Sequence, residues 1–359
     1  MKSRERVQIA LDHQEPDRCP FFTGYTPEFG SRLRADLETK GIISPGDFSP
    51  YVLEQAIQVD MLLTFVGWAN CYYQEGETYT DEWGIGWRSV EHSTAYGKGR
   101  YTEPVRHPLA EDAAVQSYVP PDPHRPELYQ AAQKTIQEFK GEYWIVGATV
   151  CTVFEAAWAL RGLENTLKDF VRNRDLLKEL FQIPYEYHLA AAKKLVELGA
   201  DMIWIGDDVG AQEQMLISPA DWRTFLKPLM ASFIKELKDI NPNLKVAYHS
   251  DGNIYPIIPE LIEIGLDVLN PLQPASMNPA RLKKEFGDQL SFWGSLDIQK
   301  TLPFGTPADV KSEVNERLRT VGKGGGLILG PSHYLQVDTP MENFWSMVNG
   351  IQESAYPKG

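Results

Sequence analysis

His249, Ser250 and Asp251 carry the sharpest chemical signal in this chain. At a strand end, residues i and i+2 point the same way, so one imidazole and one carboxylate converge on one volume. His333 supplies a second imidazole late in the chain, and the segment FEAAWALRG supplies the carboxylate of Glu155. Two histidines and one carboxylate, with Glu155 able to approach, match the ligand set of a divalent metal that keeps an open position. Two other readings stay open from the residues alone. Asp251-Gly252-Asn253 also reads as a turn capping a helix that begins near Ile254. The same imidazoles and acids equally suit acid–base or substrate-binding work without a metal.

Asp207 and Asp208 end the most apolar run of the chain, DMIWIGD. Burial and mutual repulsion would raise one of their pKa values, which suits catalytic proton transfer or a hydrogen bond to substrate. The plainer alternative is a pair of loop acids bonding backbone amides. Asn270 and Gln273 follow another apolar run and are candidate substrate-binding residues. So are the aromatics Trp68, Tyr72, Tyr73 and Trp87, which either line a pocket or pack within a hairpin.

These residues must be positioned by regular elements. Eight short apolar runs read as strands: 19–25, 60–66, 143–150, 201–207, 244–250, 266–272, 290–296 and 326–332. Each is mostly apolar, as strands buried on both faces should be. Helical patterns lie between them at 174–199, 218–240 and 306–322, the last two opened by Ser218-Pro219 and Thr306-Pro307 as N-cap and first-turn proline. Strict alternation of eight strands with helices predicts an α/β fold, a (βα)8 TIM barrel; a doubly wound sheet is the structural alternative. In such a barrel the strand C-termini carry function, and Glu155, Asp207, Asp208, His249, Asp251, Asn270, Gln273, Asp297 and His333 all fall there. The expected fold also has an N-terminal helical extension and a β-hairpin inserted at 67–105 over the barrel mouth. Residues 1–359 read as one domain, since no stretch rich in Pro, Gly or Ser divides them.

Composition narrows the class. Hydrophobic residues make up 43% and charged residues 23% of the chain, ordinary values for a globular enzyme. A net charge of −14 argues against a nucleic-acid partner, which requires a basic face. No run approaches ~18 apolar residues, so no membrane span is expected. Three dispersed cysteines and a first segment without a signal-peptide pattern predict a reducing, cytoplasmic setting. GKGGG at 322–326 precedes a strand and reads as a turn, with phosphate cradling the lesser reading.

Five segments in order give the chain a family resemblance: RERVQIALDHQEPDRCPF, GDDVGAQ, HSDG with IIPELIEIGLDVLNPLQP, SFWGSLDIQKTLPFGTP, and LGPSHYLQVDTPMEN. They resemble the uroporphyrinogen decarboxylase superfamily over essentially the whole chain. The resemblance implies a (βα)8 barrel and two branches, the heme-pathway decarboxylases and the zinc methyltransferases that work with corrinoid proteins. The arginine-rich MRQAGR segment of true decarboxylases is absent from the matching GYTPEFGSRL at 24–33. Their FSD aspartate falls on Phe65-Val66-Gly67, and their tyrosine falls near Ala156; only the late histidine is retained, as His333. The methyltransferases' HxC motif matches His249-Ser250-Asp251, and their late cysteine matches His333.

The resemblance therefore implies a corrinoid-dependent methyltransferase of the O-demethylase type. Zn2+ would be held by His249, Asp251 and His333, with Glu155 as a fourth ligand. Both family cysteines are replaced by harder ligands, which suit an oxygen-bearing substrate such as a methyl ether. The methyl group would pass to a corrinoid carried by a separate protein. A second reading is a decarboxylase for another carboxylic acid, with Arg161 or Arg18 holding the carboxylate. A third is an idle barrel that binds a corrinoid protein or small ligand. A homodimer is expected by analogy alone.

Overall fold

The computed structural model describes residues 1–67 and 76–354. Ten strands form there in chain order: β1 (Met61–Phe65), β2 (Thr78–Thr80), β3 (Gly86–Thr94), β4 (Gly97–Arg106), β5 (Trp144–Ala148), β6 (Met202–Gly206), β7 (Lys245–His249), β8 (Val268–Leu272), β9 (Ser291–Leu296) and β10 (Leu327–Pro331). β1 and β5 to β10 form one curled parallel sheet in which each strand lies beside the next in sequence. Helices fill the crossovers, as parallel neighbours require.

Residues 19–25 differ from the regular strand expected of them. They make isolated parallel bridges only, Phe21 with Leu329 and Tyr25 with Leu335. Pro20 has no N–H to donate. The N–H of Phe21 is taken by the Asp60 carboxylate at 2.7 Å. With two successive donors lost to the ladder, a regular strand cannot propagate. The stretch nevertheless touches both edges of the sheet: Phe22 N–H donates to Leu329 O at 3.1 Å, and Asp60 N–H donates to Phe21 O at 2.8 Å.

Alternation along the strands separates two cores. Met61, Trp144, Met202, Trp204, Val268 and Trp293 pack together inside the curl with Phe22. Their neighbours, such as Leu62, Ile145, Ile203 and Leu269, pack outward under the helices. Val7 and Leu11 of the first helix, Ser3–Leu11, join the inner core and plug it at the N-terminal ends. Thr306 caps the helix Pro307–Arg317 in a reciprocal capping box with Asp309. Ser218 accepts the Asp221 N–H at 3.0 Å.

Between β1 and β5 the chain leaves this repeat. β2, β3 and β4 form a three-stranded antiparallel sheet, one strand more than a hairpin. The buried Asp81 carboxylate ties its first turn, accepting from the N–H groups of Trp83 and Ile85, each at 2.9 Å, and from Trp87 Nε1 at 2.7 Å. Trp87 is thereby committed to packing inside this unit. At its far end Arg32 donates to Val337 O at 2.6 Å and lies over the Tyr96 ring, so the β3–β4 tip rests near the segment after β10. Among the described residues, no helix is long and apolar enough to cross a membrane.

Candidate functional site

His249 is the last residue of β7, in register with Gly206 of β6 and Asn270 of β8. That register places Asn270 beside the imidazole. Asn270 Oδ1 accepts from His249 Nδ1 at 2.7 Å, which leaves the lone pair of Nε2 facing outward. Two glycines let the neighbouring loop come this close. A Cβ at Gly206, whose φ is +125°, would lie 2.2 Å from His249 O. One at Gly210 would lie 2.4 Å from Asp251 O. The GDDVG segment thus needs both ends bare to seat its aspartates against residues 249–251.

His249, Asp251 and His333 converge. One ligand atom from each lies within 4.8 Å of the others. His249 is buried, Asp251 half-buried and His333 exposed, so the group opens to solvent on the His333 side. Asp251 Oδ1 is buried yet has no hydrogen-bond partner. The turn is capped instead by Asn253, whose Oδ1 accepts the Tyr255 N–H at 3.1 Å. Burial pushes the Asp251 carboxyl above its usual range, opposed by His333 and His249. An orphaned carboxylate oxygen, an oriented Nε2 and a second imidazole are donors that fit a divalent cation.

The adjacent acids divide by task. Asp207 is fully buried, and its carboxylate accepts the N–H groups of Val153 and Glu155, each at 2.9 Å. It therefore closes the start of the helix Phe154–Arg161, and burial raises its pKa to about 6. Asp208 faces the other way. Its Oδ1 accepts the Asp251 N–H at 2.7 Å and lies 3.5 Å from His249 Nε2. Its own N–H donates to Glu155 Oε2 at 3.0 Å. Glu155 is buried, and burial with Asp208 and Asp207 holds its carboxyl well above the ordinary range. It stands outside the three-residue cluster and is joined to it through Asp208.

Gln273 is buried, and its Oε1 accepts the Gly252 N–H at 2.7 Å, pinning the 251–253 loop. Asn270 and Gln273 thus hold His249 and the 251–253 loop from behind. Trp68, Tyr72 and Tyr73 lie outside the described residues. The sequence reading passed over Phe22, Trp204, Trp293, Ser332 and Tyr334, which with His249, Asn270 and His333 line a cavity of about 30 Å³. The period-two alternation Met202-Trp204-Gly206 was the signal that could have placed Trp204 inward. Ser250 holds the neighbouring loop: its Oγ accepts the Val209 N–H at 3.1 Å. The GKGGG turn offers no phosphate cradle, because the N–H groups of Gly324, Gly325 and Gly326 bond Glu15, Gly322 O and Ala10 O.

Known proteins share this architecture. The chain is similar to the methylcobamide:CoM methyltransferase MtaA of Methanosarcina barkeri, 26% identical over 194 residues that cover 54% of each chain. It thus spans about half the length of that relative. It is 23% identical to the uroporphyrinogen decarboxylase of Psychromonas ingrahamii across 98% of both chains. A solved methyltransferase from Methanosarcina mazei has the same fold, with a TM-score of 0.71 at 21% identity, covering 98% of this chain and 99% of that one. Residues 93–354 match the family model described as uroporphyrinogen decarboxylase (URO-D). A match over most of the chain settles kinship: this protein belongs to the uroporphyrinogen decarboxylase family.

Proposed function

We propose that this protein is a metal-dependent methyltransferase that moves a methyl group from a methylated small molecule, a methyl ether, to a corrinoid held on a separate protein. The observation that carries this reading is the convergence of His249, Asp251 and His333 with an unpartnered Asp251 oxygen. Similarity to the methyltransferase from Methanosarcina barkeri supports it. In this reading the chain works as one (βα)8 barrel, closed by residues 19–25, with the β2–β4 sheet over its mouth.

A zinc ion held by His249, Asp251 and His333 would supply Lewis-acid polarisation of the substrate oxygen. The transfer would break the C–O bond to methyl with its electron pair left on that oxygen, the methyl acceptor being a reduced corrinoid that would bring its own electron pair. Asn270 fixes the tautomer and aim of His249. Gln273 and Asp208 hold the Asp251 loop from two sides through the Gly252 and Asp251 N–H groups. Asp208 is also the acid nearest His249 Nε2 and would exchange a proton with the departing oxygen. Glu155 backs Asp208 through its N–H, and Asp207 sets Glu155 by capping its helix.

A decarboxylase reading is weaker on geometry. Arg161 is spent on Asp169 at 3.0 Å, Asp112 and two backbone carbonyls. Arg18 is paired with Asp60 at 2.7 Å, just before β1 and so at the opposite end of the sheet from His249. The test is methyl transfer from methyl ethers to a reduced corrinoid protein, followed by the cobalt absorption change. The reading expects methylcobalamin formation that depends on His249 and Asp251. No transfer from any ether by the zinc-loaded protein would refute it.

A further inference from the structure

The interior layer under the ligand residues is unusual for a barrel. Such layers are dominated by branched aliphatic side chains. Here the Trp204 and Trp293 ring centroids lie 4.8 Å apart, and Phe22 stands edge-on to Trp293 at 5.2 Å. The Trp204 ring meets His249 edge-on at 5.4 Å. Indole Nε1 of Trp204 is buried without a hydrogen-bond partner. Among the described residues, no lysine or arginine lines the cavity above this floor.

The other side of the site is lined by carboxyl groups. Asp207 and Asp208 take their hydrogen bonds from backbone N–H groups, Glu155 from the Asp208 N–H and the Cys151 thiol, and Asp251 Oδ1 takes none. Among the described residues, no Lys or Arg donates to any of these four carboxylates. A bound ion must be counted too. A divalent ion adds two positive charges, and Asp251 with Asp208 contributes two negative ones. No surplus positive charge is left to receive an anion.

We infer that the methyl donor is uncharged: the site takes a neutral ether or alcohol through its oxygen, with its carbon skeleton against Trp204 and Trp293, and rejects donors bearing a carboxylate, sulfonate or phosphate. This inference rests on the methyl-transfer reading for the word donor, but charge selection is measurable without turnover. Each unit of like charge within several ångströms weakens binding by about tenfold or more at a partly buried site.

The test uses two nearly isosteric methyl ethers, 2-methoxyethanol and methoxyacetate. Each is titrated into the full-length protein, zinc-loaded and zinc-free, with tryptophan fluorescence as the readout and Trp204→Phe to assign the signal. The alcohol is expected to bind at least about tenfold tighter than the acid in both forms. Asp208→Asn is expected to narrow the gap. Equal binding, tighter binding of methoxyacetate, binding of neither, or a gap unchanged in Asp208→Asn would overturn the inference. Methyl transfer from both ethers to cob(I)alamin separates the two claims. Tighter binding of the alcohol with no transfer from either ether leaves charge selection standing and refutes the methyltransferase reading. Equal transfer from both does the reverse.

Discussion

Both ends of the parallel sheet bury aspartates, and the two ends treat them differently. At the N-terminal ends, Asp60, Asp201 and Asp267 each stand one residue before a strand. Asp60 meets Arg6 at 2.6 Å and Arg18 at 2.7 Å. Asp201 meets Arg4 and Lys140, and Asp267 meets Lys238 at 2.8 Å. Each also accepts a backbone N–H from a neighbouring segment. At the C-terminal ends, Asp207, Asp208 and Glu155 accept backbone N–H groups, Asp251 Oδ1 accepts nothing, and among the described residues no Lys or Arg pairs with any of the four. At the strand starts, this chain supplies its buried acids with a counter-charge. Where it does not, one oxygen is left for something that arrives from outside.

The largest effect should come from breaking a paired acid. Asp60→Ala leaves Arg6 and Arg18 facing a void, and unfolding in urea should show a loss of about 3–5 kcal/mol. The refolded fraction should bind added zinc as the parent does. A loss under about 1 kcal/mol would erase the contrast between the two ends.

His188 sharpens the comparison from the side. It is fully buried against Trp83, with Nδ1 2.9 Å from Pro184 O, and burial pushes its pKa down to about 4. A depressed folded pKa means that stability is complete above the unfolded value of about 6.5 and falls as pH drops from there toward 4. About 3 kcal/mol should be lost across that window. His188→Gln should flatten this part of the stability profile, and an unchanged slope would show that another group titrates there.

Asn270→Ala should act on metal affinity more than on folding. Losing the acceptor for His249 Nδ1 frees the ring, and such changes weaken metal binding by about 10–100-fold. Competition with a zinc indicator measures this. Asn270→Asp, which keeps an acceptor, should recover most of the affinity. Failure of that rescue would mean that Asn270 serves substrate rather than His249.

Much of this was legible in the residues. Runs such as DMLLTFV and DMIWIGD are apolar on both faces, which marks buried parallel strands, and seven of them form. CPFFTGY looks alike, but a proline and a side chain–bound amide deny it a ladder. HSDG disclosed the His249–Asp251 pair because two-residue spacing fixes direction. The roles of Asp207 and Asp208 were not separable, since adjacent side chains diverge and only the turn's geometry says which one meets the helix. The contact of Asn270 with His249 was not legible, because strand register sets it and a single sequence does not print register. The leading aspartates of Asp60-Met61 and Asp201-Met202 were visible, but their arginine partners lie 42 to 197 residues away.

The most direct measurement is the metal content of protein purified without chelators, beside His249→Ala and Asp251→Ala. One divalent ion per chain, absent from both variants while their unfolding midpoints stay close to that of the parent, is the predicted result. No metal in the parent even after zinc is supplied, or full occupancy in both variants, would contradict the account.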